Sequence, residues 1–486
     1  MSRHVPRHGT RHGGPGAGTP VAAGFLLAGA VALLLAACGA PDPGSVPEPG
    51  SGTRSRSTAG PPPRPNVIVL LVDTLRADGL GAYGYDRPTS PHLDALAEES
   101  FLFEQARAQA PCTFPSVNSF LTGLPPSRFS GQPEGRMGIP EDADSLAEIL
   151  RRAGYATAAV SASPIVRKNP GQFNPHGGFD PGFDRFVDSC VWNPASVVND
   201  HALAQLDALP EPFFLYLHYM DPHGPYRPPA DWPKRFADAG FEGSDAVRRG
   251  DPRPLARTIA EALRAGEPLE PGAVPAAAVA HLRNLYDEEI AYFDSQLGRL
   301  LGELTARGLD GSTVLVLASD HGEEFFEHGR LKHCNTVFDT EIRTPLLLRL
   351  PPGLEPAPPR RIGANAANLD LVPTLLDYLR IEPPAELAGR SLRGAIADAE
   401  NPVSPSEQPP VVAAWGGQRA ATDGRYKLIV RPGAGGGSRR LYDLAADPGE
   451  TRDLLAGDRP ELPADARRAA RRLARAIEEW IRTHEA

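Results

Sequence analysis

The sequence predicts a layered α/β domain with a largely parallel central sheet. Three apolar runs carry that prediction: Asn66 to Val72 (NVIVLLV), Phe213 to Tyr219 (FFLYLHY) and Thr313 to Ala318 (TVLVLA). Each is short, continuous and rich in β-branched or aromatic residues, the pattern of a strand buried on both faces. Helical patterns lie between them. The strongest runs from Ala280 to Leu304, where Leu282, Leu285, Tyr286, Ile290, Phe293, Leu297, Leu300 and Leu304 recur at helical spacing. Buried strands alternating with amphipathic helices build parallel sheets.

The 486 residues suffice for one large and one smaller domain. A net charge of −10 without a long basic stripe argues against a nucleic-acid partner. Residues 1–38 read as a signal peptide, because Arg3, Arg7 and Arg11 precede an apolar run from Val21 to Ala37. Leu35-Ala36-Ala37-Cys38 resembles a bacterial lipobox, so the protein is expected to be exported and anchored to the cell envelope by a lipid on Cys38. Residues 39–64, rich in Pro, Gly and Ser, read as a solvated linker.

Along the domain, Ser90-Pro91 opens a helix over Leu93, Leu96 and Ala97, and Phe101 to Phe103 returns to the core. Pro111 to Gly123 (PCTFPSVNSFLTG) reads as a short helix with Pro115 in its first turn and Gly123 at its left-handed stop. Thr113 and Ser116 then flank the helix N-terminus, where free N–H groups and the dipole favour a sulfate or phosphate. Ser145 caps a helix carrying Leu146, Ile149 and Leu150, and Ala156 to Ser161 and Pro345 to Leu350 read as further strands. Arg227 to Pro275 has Pro-rich ends and weak periodicity, and is expected to be an insertion near the site mouth that selects substrate. Cys112, Cys190 and Cys334 allow one disulfide, with the pairing left open.

Ligands gather beyond the carboxyl ends of parallel strands. Asp73, the pair His218 and His223, and the pair Asp320 and His321 all fall at or just past such ends. Asp73, Asp320 and His321 make a ligand set for one divalent metal ion, manganese, zinc or calcium, with Thr113 able to join it. A Thr hydroxyl needs a base or a metal to act as a nucleophile, and this set supplies one. His218, His223, Lys332 and His333 are the expected donors to an anionic ester, one of the histidines protonating the leaving oxygen. His328 is read as structural.

These residues resemble the sulfatase family of the alkaline phosphatase superfamily. The segments NVIVLLVDTLRADGLGAYGYDRPTSPHLDALAEES, YLHYMDPHGPYRPP and VLASDHGEEFFEHGRLKHCNTVFDTEIRTPLLLR carry the resemblance, followed by LDLVPTLLDYLRI, GRYKLIV and LYDLAADPGE. It implies an alkaline-phosphatase-like catalytic domain over 65–382 and a smaller α+β domain over 383–486. The latter would end in a helix from Pro463 on which Ala469, Leu473, Ile477 and Trp480 share a face. Family members carry C-x-P-S-R, whose Cys becomes formylglycine. Here Thr113 occupies the nucleophile position, Val117 the Arg position, and Cys112 stands one residue early. Thr74 replaces the second paired carboxylate, and His321, where many sulfatases have Asn, shifts the metal preference toward manganese or zinc.

The resulting expectation is a metal-dependent hydrolase that cleaves a small-molecule or glycan sulfate or phosphate ester through Thr113. A sulfated Thr lacks the second hydroxyl by which a formylglycine ester collapses, so phosphoester chemistry suits Thr113 better. Two alternatives stand beside this: a transferase moving phosphoethanolamine or phosphoglycerol onto envelope glycans, and a non-catalytic binder of anionic glycans.

Overall fold

The run NVIVLLV becomes the centre of the sheet because every one of its residues is buried. The computed structural model describes residues 64–129, 138–238, 240–398, 407–433, 437–457 and 462–485. The expected signal peptide, the lipid-bearing Cys38 and all but the last residue of the 39–64 linker lie outside these. In chain order the first half comprises β1 (Asn66–Val72), α1 (Pro91–Glu98), β2 (Phe101–Arg107), α2 (Thr113–Thr122), α3 (Leu146–Arg152), β3 (Ala156–Ser161), β4 (Arg185–Val187), α4 (Ala195–Leu206) and β5 (Phe213–Tyr219). There follow α5 (Asp245–Arg248), α6 (Arg253–Ala265), α7 (Ala276–Ala306), β6 (Thr313–Ser319), β7 (Glu324–Phe325), β8 (Leu331–Lys332), α8 (Asp339–Ile342), β9 (Leu346–Arg349), β10 (Arg360–Ala367), α9 (Leu371–Leu379) and α10 (Arg393–Ala397). The last part holds β11 (Val411–Trp415), β12 (Gln418–Thr422), β13 (Tyr426–Arg431), β14 (Ser438–Asp443) and α11 (Ala464–His484).

The large sheet has the order β10-β2-β9-β6-β1-β5-β3-β4. β9 runs antiparallel to both of its neighbours, and the other pairings are parallel. Alternate residues of β1 face opposite layers, as the two-residue period of a strand requires. Val67, Val69 and Leu71 meet Val117 and Phe120 of α2, Leu146 and Leu150 of α3 and Leu375 of α9, whereas Ile68, Leu70 and Val72 meet Leu93 of α1, Val198 of α4 and Leu282, Tyr286 and Ile290 of α7. The sheet is therefore covered on both faces, the condition under which such apolar strands form.

Helix α7 carries four buried acids, and each accepts from a neighbouring segment. Asp294 accepts from the His92 and Leu93 N–H groups at the start of α1, Asp287 from the Tyr85 hydroxyl and Arg87, Glu288 from the Phe236 and Ala237 N–H groups, and Glu289 from the Arg227 N–H. The Arg227 to Pro275 segment is thus fastened to α7 by its backbone. It departs from the irregular insertion expected, because α6 forms within it. Leu255, Ile259 and Leu263 of α6 give it a narrow apolar stripe among charged residues, with Gly266 in the left-handed region (φ 69°) closing it. α6 packs beside β8, which carries Lys332.

The smaller sheet is the antiparallel meander β11-β12-β13-β14. One face packs Val412, Ala421, Leu428 and Leu441 against Ala466, Ala469, Leu473 and Ile477 of α11; the other packs Ala420, Ile429 and Tyr442 against Val337 and Phe338. Before it, α10 and the residue preceding it place Leu392 and Ile396 in the core of the large sheet. Between the two sheets runs a buried ionic chain: Arg107 to Asp339 at 2.7 Å, Lys427 to Asp339 at 2.7 Å and Lys427 to Glu450 at 2.9 Å. Among the described residues no helix is long and apolar enough to cross a membrane.

Candidate active site

The parallel register Val72 to Ser319 places the residues that follow β1 and β6 side by side. Asp73 and Asp320 are therefore neighbours at the carboxyl edge of the sheet, both at most 1% exposed. Asp320 Oδ1 accepts from the Thr74 N–H at 3.2 Å and the His321 N–H at 2.9 Å. His321 Nε2 lies 3.3 Å from Asp320 Oδ2 and 3.9 Å from Asp73 Oδ1. These last two carboxylate oxygens are buried with no hydrogen-bond partner. Ligand atoms of Asp73, Asp320 and His321 all fall within 4.8 Å of one another. Two bare, buried carboxylate oxygens this close need a cation, so the donor set fits a divalent metal ion.

The local electrostatics agree. Burial and the Asp73 carboxylate push Asp320 up to about 6. Burial opposes ionisation of Asp73 too, but His223, His218 and His321 outweigh it and hold Asp73 well below the usual carboxylate range. Burial depresses the His321 imidazole, and the charges of Asp320 and Asp73 more than reverse this. The His321 Nδ1–H donates to the Gly322 carbonyl at 3.0 Å, which leaves the Nε2 lone pair facing the cluster. Gly322 is required there, because a Cβ would come within 2.2 Å of the Thr340 carbonyl oxygen.

Thr113 is the first residue of α2 and its Oγ1 lies 3.2 Å from His321 Nε2. Several contacts fix that helix start. The Ser116 hydroxyl donates to the Asp320 carbonyl at 2.5 Å, just past the end of β6, which Asn368 Nδ2 holds in turn through the Ser319 carbonyl at 2.8 Å. Cys112, the cap residue, is bonded to Cys334, 222 residues away, which settles the pairing that the sequence left open and leaves Cys190 as a buried free thiol. The Cys334 N–H donates to the Pro111 carbonyl at 2.8 Å, and Trp415 Nε1 donates to the Cys334 carbonyl at 2.7 Å.

The expected donors divide into two groups. His218 is fully buried; its Nε2 lies 3.4 Å from Asp73 Oδ2 and its Nδ1 2.9 Å from the Tyr216 hydroxyl. It therefore braces Asp73 and does not face an incoming ester, unlike the donor role expected of it. His223, His333 and His321 instead form a row, with ring centroids 5.0 Å apart for the first two and 4.6 Å for the last two. Burial lowers His223 to about 4, which keeps it neutral without a ligand, and its Nδ1 has no partner. Lys332 and His333 are half-buried on the segment that ends at Cys334, and Lys332 adopts φ 72°. His328 stacks on Phe338 and reaches the Gly449 carbonyl, away from the cluster.

Sequence reasoning missed Glu323, a fully buried carboxylate that accepts from His333 Nδ1 at 3.2 Å. Burial works against its charge, but His333 holds Glu323 below its ordinary value. The acidic run after Asp320-His321 was the signal for it. Arg76 was also missed; it donates to the Glu323 carbonyl at 2.9 Å and pairs with Asp78 and Glu327 at 2.6 Å each.

Comparison with known proteins gives a consistent pattern. The family model Sulfatase matches residues 65–381, and the model described as N-sulphoglucosamine sulphohydrolase, C-terminal, matches residues 327–462. Human iduronate 2-sulfatase is 28% identical over 352 residues, covering 62% of this chain and 62% of that protein. The chain thus spans about three fifths of the length of that relative. The choline-sulfatase of Rhizobium meliloti (strain 1021) is 25% identical over 457 residues, covering 83% of this chain and 84% of that protein. Among solved structures, BT4656 in complex with its substrate D-glucosamine-2-N,6-O-disulfate superposes with a TM-score of 0.65 at 19% identity, covering 87% of this chain and 98% of that one. The phosphonate monoester hydrolase of Agrobacterium radiobacter gives 0.64 at 19% identity, covering 87% and 96%. At those identities the two structures show a shared fold.

Proposed function

We propose that this chain, which belongs to the sulfatase family, is a metal-dependent hydrolase of a sulfate or phosphate ester in which Thr113 is the nucleophile. The bare Asp73 Oδ1 and Asp320 Oδ2, set beside the Thr113 and His321 pair, carry this reading. Asp73, Asp320 and His321 would hold the ion, with Thr113 at its edge. When bound, a divalent ion would neutralise charge on the ester and lower the cost of removing the Thr113 proton.

The chain's own groups account for the rest. Thr113 Oγ1 releases its proton to solvent and attacks sulfur or phosphorus, the bond from that atom to the alkoxy oxygen breaks, and the leaving oxygen takes a proton from His223. An arriving anion offsets the desolvation that keeps His223 neutral, so the ring gains its proton as the ester binds. Lys332 and His333 hold the non-reacting anionic oxygens, with Glu323 fixing the His333 ring. His218 and Tyr216 orient Asp73. Water then gives a proton to His223 and attacks sulfur or phosphorus of the Thr113 ester, the bond from that atom to Oγ1 breaks, and Oγ1 regains a proton from solvent, restoring Thr113 and His223.

The bond from Cys112 to Cys334 supports the assignment of Thr113, since it occupies the sulfur that a formylglycine would require. The same bond favours an oxidising location, in keeping with the export expected from residues 1–38. Phosphonate monoester hydrolase neighbours favour a phosphorus ester alongside sulfate. The test compares hydrolysis of an aryl sulfate, an aryl phosphate monoester and an aryl phosphodiester by the wild-type chain with manganese, zinc or calcium, and by Thr113→Ala. Turnover that disappears both in Thr113→Ala and on chelation is expected. Turnover that survives Thr113→Ala, or metal binding with no turnover of any of the three esters, overturns the reading.

A further inference from the structure

Four large apolar side chains are strongly exposed among the described residues, and the two aromatic ones touch. Phe173 is 49% and Trp192 44% exposed, with ring centroids 6.2 Å apart in an edge-to-face arrangement. Trp192 also stands against His223, the ring centroids 5.3 Å apart. The row of rings from Thr113 therefore continues through His321, His333 and His223 to Trp192 and Phe173. Phe173 lies in the loop that leaves β3, which adjoins β5, and Trp192 in the loop that leaves β4, the next strand outward at the same edge of the sheet.

Neither ring is exposed through slack. Trp192 is held at φ 61°, in the left-handed region that a bulky side chain rarely adopts, and its N–H donates to the Ala162 carbonyl at 2.9 Å. Backbone strain of this kind persists where the surroundings impose it, and an exposed Trp gains little burial to offset it. Beside Phe173, the fully buried Asn174 side chain donates to the carbonyls of Ile165 and Gly177 and accepts from the N–H groups of His176 and Gly177. At the neck of the loop, Asn169 is bound to Asp188 through both its N–H and its side chain. The pair is thus a fixed surface.

We propose that Phe173 and Trp192 form the wall that receives the alcohol portion of the ester, and that this alcohol is a ring with a flat apolar face, a pyranose or an aryl group. The proposal rests on His223 serving the leaving oxygen: two rings flank His223, and with His333 on the side of the anionic oxygens, the carbon attached to the leaving oxygen falls on the side of Trp192. An aromatic face rewards a flat ring and gives a short linear alcohol little to touch.

The test measures binding, so that it does not depend on turnover. Thr113→Ala and Thr113→Ala/Trp192→Ala, both with manganese, are titrated calorimetrically with phenyl phosphate, phenyl sulfate, glucose 6-phosphate, glucose 6-sulfate, ethyl phosphate and ethyl sulfate. With Trp192 present, at least one ring ester is expected to bind about tenfold more tightly than the ethyl ester of the same acid, and the double variant to lose that preference. Preference for the phenyl esters identifies an aryl alcohol, and preference for the glucose esters a pyranose. Ring esters that bind no tighter than ethyl esters, or a preference that survives in the double variant, overturn the proposal. Wild-type protein that hydrolyses nothing overturns the proposed function and leaves this binding result to stand separately. A Phe173→Ala/Thr113→Ala variant, expected to lose part of the preference, provides the check if the Trp192 variant fails to fold.

Discussion

Replacing both Cys112 and Cys334 by Ser separates the fold's dependence on their bond from the chemistry's dependence on Thr113. The bond closes a loop of 222 residues, for which the chain-entropy relation gives a stabilisation of about 5 kcal/mol. Bonds of this kind commonly deliver somewhat less, so the double variant is expected to lose about 3–5 kcal/mol of unfolding free energy in urea, followed by tryptophan fluorescence. The start of α2 keeps its other ties, from Cys334 N–H to the Pro111 carbonyl (2.8 Å) and from Ser116 to the Asp320 carbonyl (2.5 Å). Thr113 should then stay close to His321, and turnover of the same aryl ester should fall by no more than about a hundredfold, the cost of a displacement near 1 Å. Thr113→Ala should instead lose on the order of ten-thousandfold. A folded double variant that is inactive while Thr113→Ala remains active would show Cys112 to be the reactive residue, and a stability loss below about 1 kcal/mol would show that the bond does not constrain the unfolded chain as described.

Two further outcomes are expected. Glu323→Ala removes the acceptor that fixes the His333 ring, so kcat should fall about tenfold to a hundredfold with metal content by elemental analysis unchanged; unchanged kcat would show that Glu323 does not position His333. Asp294, which burial raises to about 6 while it accepts two N–H bonds at the start of α1, binds its proton more tightly folded than unfolded. Its contribution is therefore fully present below about pH 4 and is lost as pH rises through about 6, by up to about 3 kcal/mol, a dependence that Asp294→Asn should flatten in unfolding curves taken between those pH values.

The strands β1, β5 and β6 were legible because strands buried on both faces leave continuous apolar runs, and α7 because eight apolar positions keep one stripe. The same logic explains what was not legible. β9 reads as a strand in the sequence, but nothing in four residues tells that it enters between β2 and β6 in the opposite direction. α6 escaped notice because its stripe of Leu255, Ile259 and Leu263 is narrow and set among charges in a segment with Pro-rich ends, and Leu263 is not buried. In the site, Asp73, Thr113, Asp320 and His321 were visible because they end or follow strong elements, and the structure brings them together. The part played by His218 was not visible: it lies at the end of β5 and His223 follows five residues later, and only the strand register sets the first against Asp73 and the second beside His333. Glu323 and Trp192 depend on contacts made across the fold and leave no local periodicity.

The buried ionic chain of Arg107, Asp339, Lys427 and Glu450 bears on how separable the two sheets are. Arg107 and Asp339 pair on the side of the large sheet, Lys427 and Glu450 on the side of the meander, and the bond from Lys427 to Asp339 joins the two pairs across the boundary. Cutting the chain between residues 398 and 407 would therefore not release two independent modules. Separating the fragments would break the Lys427 to Asp339 bond, open both buried pairs to water and bare the seam where Val337 and Phe338 meet Ala420, Ile429 and Tyr442. The large sheet and the meander are expected to fold as a single unit.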